Sequence, residues 1–343
     1  MTLQSLCLYR YQIPLDKLLP VGIQRIDTRE GLVLHASTAE MQAEVEIAPL
    51  SGVDIDGNPI LGFSRESLEQ VIDELELLLP KLEGVPLDAL LDAAETTKLP
   101  SLAFGLSLLH AKLNGQLPVC RNNPGLVPLI YRNQDEDKAA LQNRIDALSL
   151  DTHTVKVKVG QTSLEDEVQL IHHILAVRPA LKIRLDANRA FTLTQAIDFC
   201  ACLPLDAIDY IEEPCQNPSE NPDLFEAVGI HYALDETLHD PNYQFVMQAG
   251  LRALVLKPML VGHLSRLQSL IDTAIDAGVK TIISSSLEAS LGIAALQAIA
   301  AECTPNEMPG LDTLGAFSCD LLLSSGKQRC LMLDELNLIK SVG

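Results

Sequence analysis

From Val127 onward the chain repeats one local pattern, a short β-rich run, a polar corner and a helical stretch, and this repetition restricts the fold more than any other feature. The β-rich runs are VPLIY (127–131), TVKVKV (154–159), LKIRLD (181–186), AIDYIE (207–212), HYALDE (231–236), ALVLKP (253–258) and KTIISS (280–285), with MPGLDTL (308–314) as a weaker last member. Strands separated by helices pair in parallel, because a parallel connection needs a crossover long enough to hold a helix. Eight such units close into an α/β structure, a (β/α) barrel, expected here over residues 121–315.

Local signals support the helices between the runs. Segment 163–179 opens with Ser163 and Asp166 at capping-box spacing, carries Leu164, Val168, Ile171 and Leu175 on one face and stops before Pro179. Segment 263–278 ends on Gly278. Residues 1–120 have a different texture. SLCLYRYQIPL, GLVLHAS and AEVEIAPL read as an antiparallel three-strand meander, followed by a helix in which Leu68, Val71, Ile72, Leu75 and Leu79 form a stripe. This describes an α+β capping domain over 1–120, with 316–343 expected to pack back on it. The loop 51–63 is rich in turn residues, and its DIDGN lacks the downstream ligands of a calcium loop, so it reads as a turn.

With 46 acidic against 25 basic residues, the net charge of −21 disfavours nucleic acid or an anionic membrane as partner and leaves a small molecule as the expected ligand. Eight cysteines (7, 120, 200, 202, 215, 303, 319, 330) show no CxxC pair, as in a reducing compartment. No stretch reaches the ~18 apolar residues of a membrane span, and the N-terminus lacks a secretory pattern, so a cytoplasmic location is expected. Whether the chain is monomeric or a homo-oligomer is left open.

The informative residues stand where strands end. Asp186, Glu212 and Asp235 close three consecutive runs, on the barrel rim where catalytic groups gather. One such carboxylate alone is usually a helix cap or a solvated loop residue. Three in succession suit Mg²⁺, a hard cation that takes oxygen ligands. TVKVKVG (154–160) places Lys156 and Lys158 on one face of the second strand with valines on the other. Lys257 ends the sixth strand, roughly opposite. A metal beside a substrate carboxylate makes the adjacent C–H acidic, and a nearby lysine can remove that proton. Lys158, nearer the strand's C-terminal end, is the better-placed base, and Lys156 is its charged neighbour. Arg184 shares the inward parity of Asp186 and reads as a buried supporting guanidinium.

The motifs KVKVG, RLDANRA, EEPC, LDET, LKP, SSSLEASLG and PGLDTLG, in this order, resemble the enolase superfamily in its muconate-lactonizing subgroup over nearly the whole chain. The resemblance implies a modified TIM barrel of the enolase type under an N-terminal cap. It implies that Asp186, Glu212 and Asp235 bind Mg²⁺, with Mn²⁺ able to substitute, that Lys158 acts as acid/base and that Lys257 stabilises an enediolate. Ser285, Ser286, Asn188 and Gly310 would contact substrate, with Glu236 supporting the ligands. The loop 51–63, which in this family closes over the site, is longer here than the family pattern. The implied reaction is the syn dehydration of 2-succinyl-6-hydroxy-2,4-cyclohexadiene-1-carboxylate to 2-succinylbenzoate, a step of menaquinone biosynthesis. Racemases, dipeptide epimerases and cycloisomerases of the subgroup share the two-sided lysines. A dipeptide epimerase would carry D-x-D where this chain has only Asp312, and a His-based racemase would carry His where Ser284–Ser286 stand. Outside the family, a Schiff-base aldolase using Lys158 or Lys257 leaves the carboxylates unexplained, and a non-catalytic binding barrel would tolerate Lys158→Ala without functional loss.

Overall fold

The computed structural model describes residues 1–22, 24–117, 126–131 and 138–343. Cys120 and the expected boundary at 120/121 lie outside the described residues.

The cap is built first. Strands β1 (Ser5–Val21), β2 (Gln24–Ser37) and β3 (Gln42–Ile47) form an antiparallel meander. Helices α1 (Leu68–Leu82), α2 (Ala89–Thr96) and α3 (Pro100–Leu113) follow. Ser67 caps α1 in a reciprocal capping box with Gln70, and Leu68, Val71, Ile72, Leu75 and Leu79 are all buried. Helix α3 is apolar almost all round because it lies between cap and barrel. Its Gly105 permits close approach to β3, since a Cβ there would meet Ile47 Cγ1 at 2.4 Å.

The barrel strands are β4 (Leu129–Ile130), β5 (Thr154–Lys158), β6 (Lys182–Asp186), β7 (Ile208–Glu212), β8 (Tyr232–Leu234), β9 (Leu251–Leu256) and β10 (Lys280–Ile283). They form one parallel sheet in chain order. Between them run α4 (Lys138–Asp146), α5 (Leu164–Val177), α6 (Leu193–Cys200), α7 (Asn221–Val228), α8 (Pro258–Val261) and α9 (Leu264–Asp276), with α10 (Ser290–Cys303) after β10. The alternation of β5 and β6 sends Val155, Val157, Ile183 and Leu185 outward into the helix-facing core, where all are fully buried. Lower in the lumen, Tyr210, Ala233, Ala253, Val255 and Ile282 form a separate plug.

Three local expectations are corrected. Segment 308–314 forms no strand. Pro309 lacks an N–H, and the segment meets the end of β10 in a single bridge at Gly310, whose N–H donates to Ile283 O (2.9 Å) and whose carbonyl accepts from Ser285 N (3.2 Å). On the other side Asp312 Oδ2 accepts from Leu129 N at 3.4 Å, a side chain standing in for a ladder bond. In α5 the buried row is Leu170, Ile171 and Ile174, while Leu164, Val168 and Leu175 flank it half-buried. The helix is turned so that Glu167 faces inward and accepts the N–H groups of Gly160, Gln161 and Thr162. The cap sheet has four strands, because β13 (Asn337–Val342) pairs antiparallel with β1 after two short strands, β11 (Asp320–Leu321) and β12 (Cys330–Leu331). In the loop 51–63, Asp54 Oδ1 accepts from the N–H groups of Asp56 and Asn58, which makes DIDGN a side-chain-capped turn.

Candidate active site

Register sets the height of the functional side chains. Lys158 pairs with Asp186 across β5 and β6, and Asp186 pairs with Glu212 across β6 and β7. Because all three strands run parallel, the three groups reach the same rim. Asp235 follows the end of β8, and Lys257 follows β9 as the residue before Pro258. Four residues around this rim hold left-handed backbone without being glycine, namely Asn188 (φ 41°), Arg189 (59°), Glu213 (37°) and Leu287 (66°). Such strain concentrates where surrounding contacts over-determine a loop.

The sequence-expected residues come together as one buried ionic cluster. Lys156 Nζ lies 2.9 Å from Asp186 Oδ2 and 2.5 Å from Glu212 Oε2. Lys158 Nζ lies 2.8 Å from Asp186 Oδ2 and donates to Asn188 Oδ1 at 2.5 Å. On the far side Lys257 Nζ donates to Asp235 Oδ2 at 2.5 Å. Burial works to neutralise both Lys156 and Lys257, but facing carboxylates more than offset it. Asp186 and Glu212 hold Lys156 well above the usual lysine range, and Asp235 and Glu236 raise Lys257. Burial likewise works to raise the carboxylates. For Asp186 the two lysines of β5 reverse it, and for Asp235 Lys257 does, leaving both below the ordinary range. Glu212 and Glu236 are pushed up by burial to about 7.

The cluster opens into a cavity of about 280 Å³ between barrel and cap. Lys156, Lys158, Asp186 and Lys257 line one side and Ser284–Leu287 with Gly310 another, while Leu19, Val21, Leu50 and Phe63 close it from the cap with apolar surface. Ser285 Oγ is within 3.2 Å of Thr313 Oγ1.

Other expected residues make contacts within the chain. Asn188 is engaged at both ends of its amide, accepting from Lys158 and donating to Glu236 Oε1 at 2.8 Å. Ser286 has its N–H and hydroxyl both directed at Glu288, two residues on, because that carboxylate is buried and takes them. The Arg184 guanidinium points to the opposite end of the barrel, donating to Met308 O and lying 3.5 Å from Asp209 and 3.7 Å from Glu307. It starts two residues before Asp186 on β6 and extends away from the rim, so it braces the lower mouth. Sequence reasoning missed Glu213, fully buried, which accepts from Arg189 and from the N–H groups of Asp235 and Thr237. Its position beside Glu212 in EEP was the available signal.

The donors suit a hard divalent cation. Asp186, Glu212 and Asp235 are buried carboxylates, and the buried Asp235 Oδ1 and Glu236 Oε2 accept no hydrogen bond among the described residues, so lone pairs are placed to serve one. His239 Nε2 stands 3.4 Å from Asp235 Oδ1 without hydrogen-bond geometry. Among the described residues the carboxylates are not gathered into a metal-spaced group, because each is drawn to an ammonium.

Two family models match the chain. "Enolase C-terminal domain-like" covers residues 138–325, and "MenC, N-terminal domain" covers 3–113. The chain is 36% identical over 322 residues to the o-succinylbenzoate synthase of Vibrio cholerae serotype O1 (strain M66-2), covering 92% of this chain and 90% of the relative. It is 35% identical over 324 residues to that of Yersinia pseudotuberculosis serotype O:1b, covering 93% of each. Its fold matches the o-succinylbenzoate synthase structure from Thermosynechococcus elongatus BP-1, complexed with Mg in the active site, with a TM-score of 0.70 and 23% identity over 89% of this chain and 92% of the other.

Proposed function

The chain belongs to the o-succinylbenzoate synthases of the enolase superfamily, and we propose that the two-sided lysine cluster on its barrel rim carries their dehydration. The substrate is then 2-succinyl-6-hydroxy-2,4-cyclohexadiene-1-carboxylate. Its ring carboxylate faces the Asp186, Glu212 and Asp235 group, and its succinyl arm runs toward Ser284–Leu287. These three carboxylates would hold Mg²⁺, with Mn²⁺ expected to substitute; the ion supplies positive charge beside the ring carboxylate, where negative charge develops. This reading of the ion draws on the Mg in the active site of the related structure.

Lys158 removes the proton from the carbon bearing the carboxylate. The C–H electron pair moves into the enediolate, whose charge faces the Lys257 ammonium. The proton taken by Lys158 then passes to the hydroxyl on the same face, the C–O bond breaks, water departs and the ring becomes aromatic. One base suffices because both bonds lie on one side of the ring. Lys156, held by two carboxylates, stays an ammonium and compensates them. The apolar cap residues over the cavity exclude water from the anion.

The observation that carries this reading is the placement of Lys158 and Lys257 on opposite sides of one carboxylate cluster, both lining the same cavity. The test is an ultraviolet assay of aromatisation with Mg²⁺ present and after EDTA treatment. Turnover with Mg²⁺ and its loss in EDTA are expected; no turnover with metal would overturn the assignment.

A further inference from the structure

The wall of the cavity opposite the lysines is shaped from outside it. Arg29, on β2 of the cap, is 3% exposed and does not line the cavity. Among the described residues every hydrogen bond of its guanidinium goes to a backbone carbonyl. Nη1 donates to Glu30 O (2.8 Å) and Pro49 O (3.0 Å), Nη2 to Ala48 O (2.5 Å) and Ser286 O (3.5 Å), and Nε to Leu287 O (2.9 Å). One cationic side chain thus ties the cap to two consecutive peptide units of the substrate-facing loop.

That grip has a directional consequence. In a trans peptide the C=O and N–H point opposite ways. With the Ser286 carbonyl turned toward Arg29, the Leu287 N–H is turned away from it, on the side where Ser286 and Leu287 line the cavity. Among the described residues this N–H meets no acceptor. Backbone donors near a protein interior rarely go unpaired without a ligand. Leu287 also holds φ at 66°, a conformation unfavourable for a leucine that an outside restraint must maintain. Glu46, from β3, secures the next stretch by accepting from Ala289 N (2.9 Å) and Gly292 N (2.8 Å).

The geometry points to Arg29 as a positioning residue that turns the 286–288 peptides so that the Leu287 N–H receives the carboxylate of the substrate's succinyl arm. Arg29 acts through the backbone and never touches the ligand. Its role is to make the pocket prefer a dicarboxylate over the same molecule with an apolar tail. The inference rests on the dehydration reading above, and its test separates the two.

The probes are 2-succinylbenzoate and 2-butanoylbenzoate, which differ only in a carboxylate replaced by methyl, measured as inhibitors of the Mg²⁺-loaded enzyme. The wild-type protein is expected to bind the first at least ~10-fold more tightly, as a charge-assisted hydrogen bond provides. In Arg29→Lys, which keeps the charge but loses the planar fork, and in Arg29→Met, the preference should fall to about 2-fold or less while affinity for 2-butanoylbenzoate stays the same. A preference that persists in either folded variant, or an equal weakening of both ligands, overturns the proposal. Where neither variant folds, amide hydrogen exchange of Leu287 in the wild-type protein decides. Protection by 2-succinylbenzoate alone supports the proposal, and equal exchange with both ligands overturns it. Turnover without any dicarboxylate preference would sink the role of Arg29 and leave the dehydration intact, whereas absence of turnover would sink the dehydration itself.

Discussion

Lys158 and Asn188 are joined by a 2.5 Å hydrogen bond from the ammonium to the amide oxygen, and the same amide donates onward to Glu236. Lys158 therefore does not hang freely from its strand. Its Nζ is fixed between Asp186 and an amide that is itself fixed.

Replacing Asn188 with Asp puts a second carboxylate against Lys158. A carboxylate grips the ammonium through an ion pair that a neutral amide does not make, and Asp has no N–H to offer Glu236. The kcat/KM of the Mg²⁺-loaded variant should fall by roughly 10-fold or more. An unchanged kcat/KM would remove Asn188 from the surroundings of Lys158.

Lys156→Met leaves the buried Asp186 and Glu212 without their shared cation. Breaking a buried pair from one side costs about 3–5 kcal/mol. The melting temperature in EDTA should fall accordingly and recover in part with Mg²⁺, because an ion held by the folded state alone stabilises it by mass action. Equal losses with and without Mg²⁺ would contradict a metal role for these carboxylates.

Glu46 is buried, and that burial outweighs its hydrogen bonds with Tyr11, Ala289 and Gly292 to lift its pKa above the ordinary value of 4.5. An acid with a raised folded pKa binds its proton more tightly folded than unfolded. It therefore removes stability as pH rises from about 4.5 through the raised value, and nothing further above it. Glu46→Gln lacks this loss. The difference in melting temperature, variant minus wild type, should rise across that window, and a flat or falling difference would contradict the buried charge.

Gly160 follows the lysine strand with φ at 78°, and a Cβ there would meet Ala190 Cβ at 2.3 Å. Gly160→Ala combines overpacking with a left-handed alanine, and should lower stability in urea by roughly 2–4 kcal/mol. Less than about 0.5 kcal/mol would mean the loop relaxes freely.

The parts of this site that were legible in the sequence are those governed by a period. Strand alternation put Lys156 and Lys158 on one face, and the ends of successive runs placed Asp186, Glu212, Asp235 and Lys257 on one rim. What was not legible depends on partners with no period. Arg29 binds carbonyls more than 250 residues away, as at Leu287, and Glu46 accepts from Gly292 across a separation of 246. Such contacts exist only once cap and barrel have docked. The missing eighth strand has the same origin, since Asp312 closes the gap through a side chain. Ser286 and Asn188 were visible as polar residues at strand ends, but their partners within the chain, Glu288 for the first and Lys158 and Glu236 for the second, were not.

The central claim is that Lys158 is the acid/base of the dehydration, and its most direct test is the ultraviolet assay on wild type and Lys158→Ala with the cyclohexadiene substrate and Mg²⁺. Wild-type turnover with a loss of roughly 10²- to 10⁴-fold or more in the folded variant is the expected result. A folded Lys158→Ala protein that retains turnover within about tenfold of wild type would contradict it.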